Sequence, residues 1–168
     1  MDDRELVAQQ IGRAPRSYRG VAARCPYGRP AVSEQAPYDA DGRPFPTTYW
    51  LTCPHLVAAV SRLEAAGGVE RWSARVDTEP DLRASLEAAT GRQRSLRERL
   101  AAGDTGSDEG ASLRTGIGGA ARPERLKCLH AHVAWALVDA DYELGQAILD
   151  EIPDPWPEHE CCTADPSR

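Results

Sequence analysis

Apolar positions along the chain follow helical spacing in some stretches and strand-like alternation in others. Leu6, Val7 and Ile11 give residues 2–11 an apolar edge, with Asp2 or Asp3 placed to cap the start and Gly12 to end it. Two β-like runs follow, Tyr18–Arg24 and 29–35. Cys25-Pro26-Tyr27-Gly28 joins them with proline second and glycine fourth, the chemistry of a tight turn, so a hairpin is expected. A loop rich in Pro, Asp and Gly over 36–46 leads to a third strand-like run over 47–52.

Pro54 suits the first turn of a helix capped by Thr52 or Cys53; Leu56, Val60 and Leu63 share a face, and Gly67-Gly68 is read as its stop. Leu82, Leu86, Ala89, Gln93, Leu96 and Leu100 predict a long helix over 80–102, weakened in the middle by Gly91 and the polar Gln93. Residues 103–121 have almost no apolar content and read as a mobile Gly-rich loop. A helix is expected from Pro123 to about Val138, then a short one near 142–152, before Pro153-Asp154-Pro155-Trp156-Pro157 forbids further helix. The expected fold class is α+β: a small antiparallel sheet of about three strands packed with about four to five helices. It forms a single domain over 1–152, followed by a flexible acidic tail over 153–168.

Composition narrows the function classes. The 168 residues carry a net charge of -6, 41% hydrophobic and 27% charged positions, which excludes a collagen, a coiled-coil rod and a fully disordered chain. The acidic balance argues against nucleic acid as a partner, which needs a basic face. The longest apolar run, Leu56-Val57-Ala58-Ala59-Val60, is far too short to span a membrane. The opening Met-Asp-Asp-Arg-Glu has neither the basic start nor the apolar stretch of a secretory leader, so a cytoplasmic location and reduced cysteines are expected.

Sulfur and imidazole concentrate at Cys25, at Cys53 beside His55, at Cys128-Leu129-His130-Ala131-His132, and at His159 with Cys161 and Cys162. Zinc takes four such donors in a tetrahedron, offered from turns and helix starts. Cys128 and His132 stand four apart and share a helix face, while His130 falls with Leu126, Val133 and Leu137 on the side expected to be buried. The candidate metal ligands are therefore Cys25, Cys53, Cys128 and His132, with His130 as substitute. Cys161 and Cys162 are assigned to the solvated tail. Two other readings stay open: the three cysteines as small buried hydrophobes, or Cys53 as a nucleophile at a helix start with His130 as its base.

Arg114-Thr115-Gly116-Ile117-Gly118-Gly119, followed by Arg122, Arg125 and Lys127, is read as the most basic stretch, and Lys127 is the only lysine. Arg114, Gly116, Gly118, Gly119, Arg122 and Lys127 could cradle a phosphate or carboxylate ahead of a helix start. There is no Gly-Lys-Ser/Thr and no preceding strand, so neither nucleotide fingerprint is present. The aromatic run from Phe45 to Trp50 either walls a pocket or anchors a strand.

Arg24-Cys25-Pro26-Tyr27-Gly28-Arg29-Pro30, the stretch from Pro44 to Pro54, Leu63-Glu64, Gly116-Ile117-Gly118-Gly119 and Leu126-Lys127-Cys128-Leu129-His130-Ala131-His132 together resemble an actinobacterial domain-of-unknown-function family, numbered 501. The resemblance implies no activity. Its genes tend to neighbour enolase and cell-division genes, which implies a housekeeping context. Thr90 and Gln93 stand where the family carries a His and a Tyr. Three functions are thus in view: a zinc-binding protein, a small enzyme acting on an anionic substrate at 116–127, and a non-catalytic interaction protein linked to cell division.

Overall fold

The computed structural model describes residues 1–162, and among them it has six α-helices and one three-stranded antiparallel sheet, an α+β fold. Helix α1, Asp3–Ile11, is closed by a capping box between Asp2 and Glu5 and by Gly12 in the left-handed region. Strands β1 (Tyr18–Arg24), β2 (Pro30–Gln35) and β3 (Tyr49–Leu51) pair in the order β1-β2-β3. In the β1–β2 turn the Gly28 N–H donates to the Cys25 carbonyl at 2.9 Å with Gly28 at φ +77°, a conformation its side-chain-free backbone adopts without cost. The central strand β2 is buried almost throughout, with Val32 opposite both Ala23 and Leu51.

Helices α2 (Pro54–Ala65) and α4 (Pro80–Ala101) start at the prolines that announce them. Between them lies α3, Gly68–Thr78, where the sequence reading had only a stop. Gly67 does end α2, but it sits at φ +81° and serves at once as the cap from which α3 restarts. Helix α5, Leu129–Val138, is apolar on nearly every side, and α6 is Glu143–Asp150. A helix of that kind belongs inside, and α5 packs on all three strands, on α2 and on α6. It begins six residues later than expected from Pro123, whose Cα lies only 2.8 Å from where a Cβ on Gly116 would stand. Pro123 is thus a packing partner of a loop glycine rather than a helix start.

Residues 103–121, expected to be mobile, contain three short 3-10 turns, Gly106–Asp108, Ala111–Arg114 and Ile117–Gly119. Polar contacts replace the missing apolar ones. The side chains of Gln93, Arg94 and Arg97 on α4 donate to the carbonyls of Thr115 (3.2 Å), Arg114 (2.6 Å) and Ser112 (3.2 Å). Arg97 is fully buried, with a second bond to the Thr48 hydroxyl at 3.4 Å. Ile117, within the 103–121 segment, is buried and joins the core.

Candidate functional site

The thiols sort into two groups, and not the two expected. Cys25 lies in the β1–β2 turn and Cys53 is the residue before α2; both are buried. Their backbones are neighbours, since Cys25 N–H bonds Arg29 just before β2 and Cys53 N–H bonds Ala31 within it. Segment 153–162 runs across this corner. Its prolines 153, 155 and 157 keep it out of helix, and side chains from the body fasten it. The His55 Nε2–H donates to the Asp154 carbonyl at 2.7 Å, the Tyr27 hydroxyl donates to the Pro157 carbonyl, and Trp156 packs against the core. Just before it, Glu151 accepts from Trp72 Nε1 at 2.7 Å and pairs with Arg71.

The course of this segment brings Cys161 and Cys162 to the corner. Cys53 Sγ and Cys162 Sγ are 3.6 Å apart, and the Cys25 thiol interacts with that of Cys161. Cysteines assigned to the solvated tail therefore meet the buried ones. The remainder of that expected tail, 163–168, lies outside the described residues. His159 does not join the group; it faces Glu158 at 3.4 Å in solvent.

The expected ligand set does not gather. Glu64 Oε1, at the far end of α2, accepts the Leu129 N–H at 2.5 Å and meets His130 Nδ1 at 3.2 Å. At about 1.5 Å per residue, Glu64 lies roughly 16 Å along the helix from Cys53. Cys128, the residue before Leu129, accordingly has Gly118 and Glu64 as its surroundings, not Cys53. The two histidines also exchange faces relative to expectation. His132 is fully buried, its Nδ1 2.6 Å from the Tyr142 hydroxyl of the α6 cap, whereas half-buried His130 faces α2. Helix α5 starts late, so Leu126 lies outside it and Leu129, its first residue, sets the first buried position. Among the described residues, no three His, Cys, Asp or Glu side chains already stand as a metal-holding group.

The nucleophile reading fares no better. Burial pushes the Cys53 thiol up to about 12, although N–H groups at the start of α2 act in the opposite sense. Nor does His130 serve it: His130 Nε2 lies 3.2 Å from Ser61 Oγ and 3.3 Å from the Val57 carbonyl. Ser61, His130 and Glu64 form a hydrogen-bonded series in the order of an acyl-transfer relay. Ser61, however, is in mid-helix, where neighbouring N–H groups are spent on the helix itself and none remains to stabilise an oxyanion. The series acts as a clamp between α2 and α5.

The basic loop is packed rather than open. A Cβ on Gly118 would stand 2.9 Å from the Ala131 side chain, and one on Gly119 2.5 Å from that of Pro46. The N–H groups of Gly116 and Gly119 are taken by the carbonyls of Ala120 (2.8 Å) and Gly116 (3.0 Å). These glycines permit close approach of loop to helix, and Arg114, Arg122 and Lys127 are exposed around them. A denser run of cations escaped the sequence reading: Arg92, Arg94, Arg97 and Arg99 on α4. Counting arginines per helical turn would have found it.

Among the described residues, no helix is long and apolar enough to cross a membrane. Neither a curated protein nor a solved structure matches the chain. Residues 21–150 match the model of a protein family of unknown function, DUF501, covering both the hairpin with Cys25 and the core helix α5. The chain belongs to that family.

Proposed function

We propose that this protein binds zinc through Cys25, Cys53, Cys161 and Cys162, and that the ion fastens segment 153–162 to the sheet. The observation that carries the reading is the 3.6 Å separation of Cys53 Sγ and Cys162 Sγ. Zinc–sulfur bonds of about 2.3 Å arranged as a tetrahedron space their sulfurs roughly 3.8 Å apart. Four thiols from the hairpin turn, the residue before α2 and segment 153–162 supply a closed, all-sulfur set, which suits a structural ion rather than a catalytic one. Loading draws the two thiol pairs onto one centre and deprotonates them, so it releases protons and stabilises the folded chain.

The test is metal analysis of untagged full-length protein reconstituted with zinc, together with its melting temperature before and after chelation. About one zinc per chain and a chelation-sensitive melting temperature are expected. Cys53→Ser and Cys162→Ser lose the metal, and Cys128→Ser keeps it. A chain that takes up no zinc, or one in which Cys128→Ser abolishes uptake, overturns the assignment.

A further inference from the structure

Helix α4 has a glycine that nothing inside the molecule requires. Gly91 lies in the middle of Pro80–Ala101, and a Cβ built there meets no atom within 4 Å. Glycine in a helix interior costs about 1 kcal/mol relative to alanine, so a position with room for a side chain would ordinarily carry one. The glycine instead lines a cleft of about 500 Å³ between α4, β3 and α5. A second cleft of about 290 Å³, reaching toward Pro123, meets the first at the same residue.

The cleft combines an apolar floor with cations. The exposed edges of Tyr49 and Trp135, both otherwise buried in the core, form this floor, their rings edge to face with centroids 4.7 Å apart. Arg92, Ser95 and Arg99 follow one another along the α4 side, the two arginines roughly 10 Å apart by helix rise. Arg92 is paired with Asp139 on the rim at 2.8 Å. Arg99 has no carboxylate partner among the described residues. Arg94 and Arg97 are occupied by the carbonyls of Arg114 and Ser112, which leaves Arg99 as the cation presented to an occupant. The chain as a whole is acidic, so this concentration of positive charge is local.

We propose that the Gly91 cleft binds a small organic anion, a carboxylate or phosphate carried on a planar ring. The ring lies against Tyr49 and Trp135 over the bare backbone of Gly91, and the anionic group pairs with Arg99 beside Ser95. The volume falls in the range of small-molecule sites, and apolar and polar side chains share the lining. The site is independent of the thiols and of the zinc reading.

Isothermal titration of the full chain with phenyl phosphate, benzoate, inorganic phosphate and benzyl alcohol tests it. At least one aromatic anion binds, and inorganic phosphate and benzyl alcohol bind about tenfold more weakly or not at all. The preference between phenyl phosphate and benzoate assigns the anionic group. Arg99→Gln weakens binding about tenfold or more. Gly91→Leu abolishes it while the melting temperature stays at or above that of the parent, because the new side chain enters the cleft and favours helix. The double variant Arg122→Gln/Lys127→Gln, at the loop the sequence points to, binds normally. Absence of binding by both aromatic anions at about 5 mM overturns the proposal. So does undiminished binding by Gly91→Leu, or loss of binding in the loop variant.

Discussion

Glu64 Oε1 accepts the Leu129 backbone N–H at 2.5 Å, so α2 caps a helix whose own preceding residue, Cys128, makes no side-chain cap. The bond joins elements 65 residues apart and places the start of the central helix. Glu64→Ala is expected to destabilise the chain by about 1–2 kcal/mol, lowering the melting temperature by roughly 2–8 °C. Glu64→Gln retains an accepting oxygen and loses less. Equal losses in the two variants, measured by urea and thermal unfolding, would mean that the carboxylate charge and not the cap is what matters.

His132 sets the acid limb of stability and Tyr142 the alkaline one. Burial holds His132 down to about 4 from its ordinary 6.5. As pH falls below 6.5 the unfolded chain takes a proton that the folded chain refuses until about pH 4. Stability is therefore complete above pH 6.5 and declines across that window by about 3 kcal/mol. His132→Phe is expected to flatten this part of the stability–pH curve, whatever its effect at neutral pH. Burial moves Tyr142 upward, so the same reasoning gives a decline above about pH 10 that Tyr142→Phe removes.

Arg97 is a buried cation held by a carbonyl and a hydroxyl, with its Nη2 unpartnered. Arg97→Ala opens a cavity and strands the Ser112 carbonyl, at an expected cost of about 2–4 kcal/mol. Arg97→Met fills the space without the desolvated charge and is expected within about 1 kcal/mol of the parent. Its signature is local: faster amide hydrogen exchange across 112–119 with little change in global unfolding. An unchanged exchange pattern would remove Arg97 from its role in holding that segment.

Cys53 in metal-free protein is expected to react slowly with iodoacetamide at pH 8, because burial keeps the thiol protonated and covered. Alkylation rates followed by peptide mass analysis should place it well behind exposed Cys162. Reaction as fast as an ordinary exposed thiol would reopen the nucleophile reading.

Local signals carried most of the elements. Asp2 and Gly12 bound α1, the Cys25-to-Gly28 turn closes the hairpin, and Pro54 and Pro80 open α2 and α4. Helix α3 was hidden because Gly67-Gly68 reads equally as a stop and as a cap; Val69, Trp72 and Val76 held the helical spacing that reveals it. The site was less legible for a physical reason. Cys161 and Cys162 reach the hairpin corner through bonds from His55 and Tyr27, about 100 or more residues away, and no local pattern encodes such a path. His130 and His132 were set on the wrong faces because the cap that phases α5 comes from Glu64, on another helix.

The grip of Gln93, Arg94 and Arg97 on the carbonyls of Thr115, Arg114 and Ser112 has an evolutionary corollary. Every residue type carries the same carbonyl, so a helix that clasps main-chain oxygens is blind to the identity of what it clasps. Substitutions that keep the path of 112–115 can accumulate there with little penalty. A single change on the clasping helix loosens the whole stretch at once, which puts the memory of that segment's shape outside the segment.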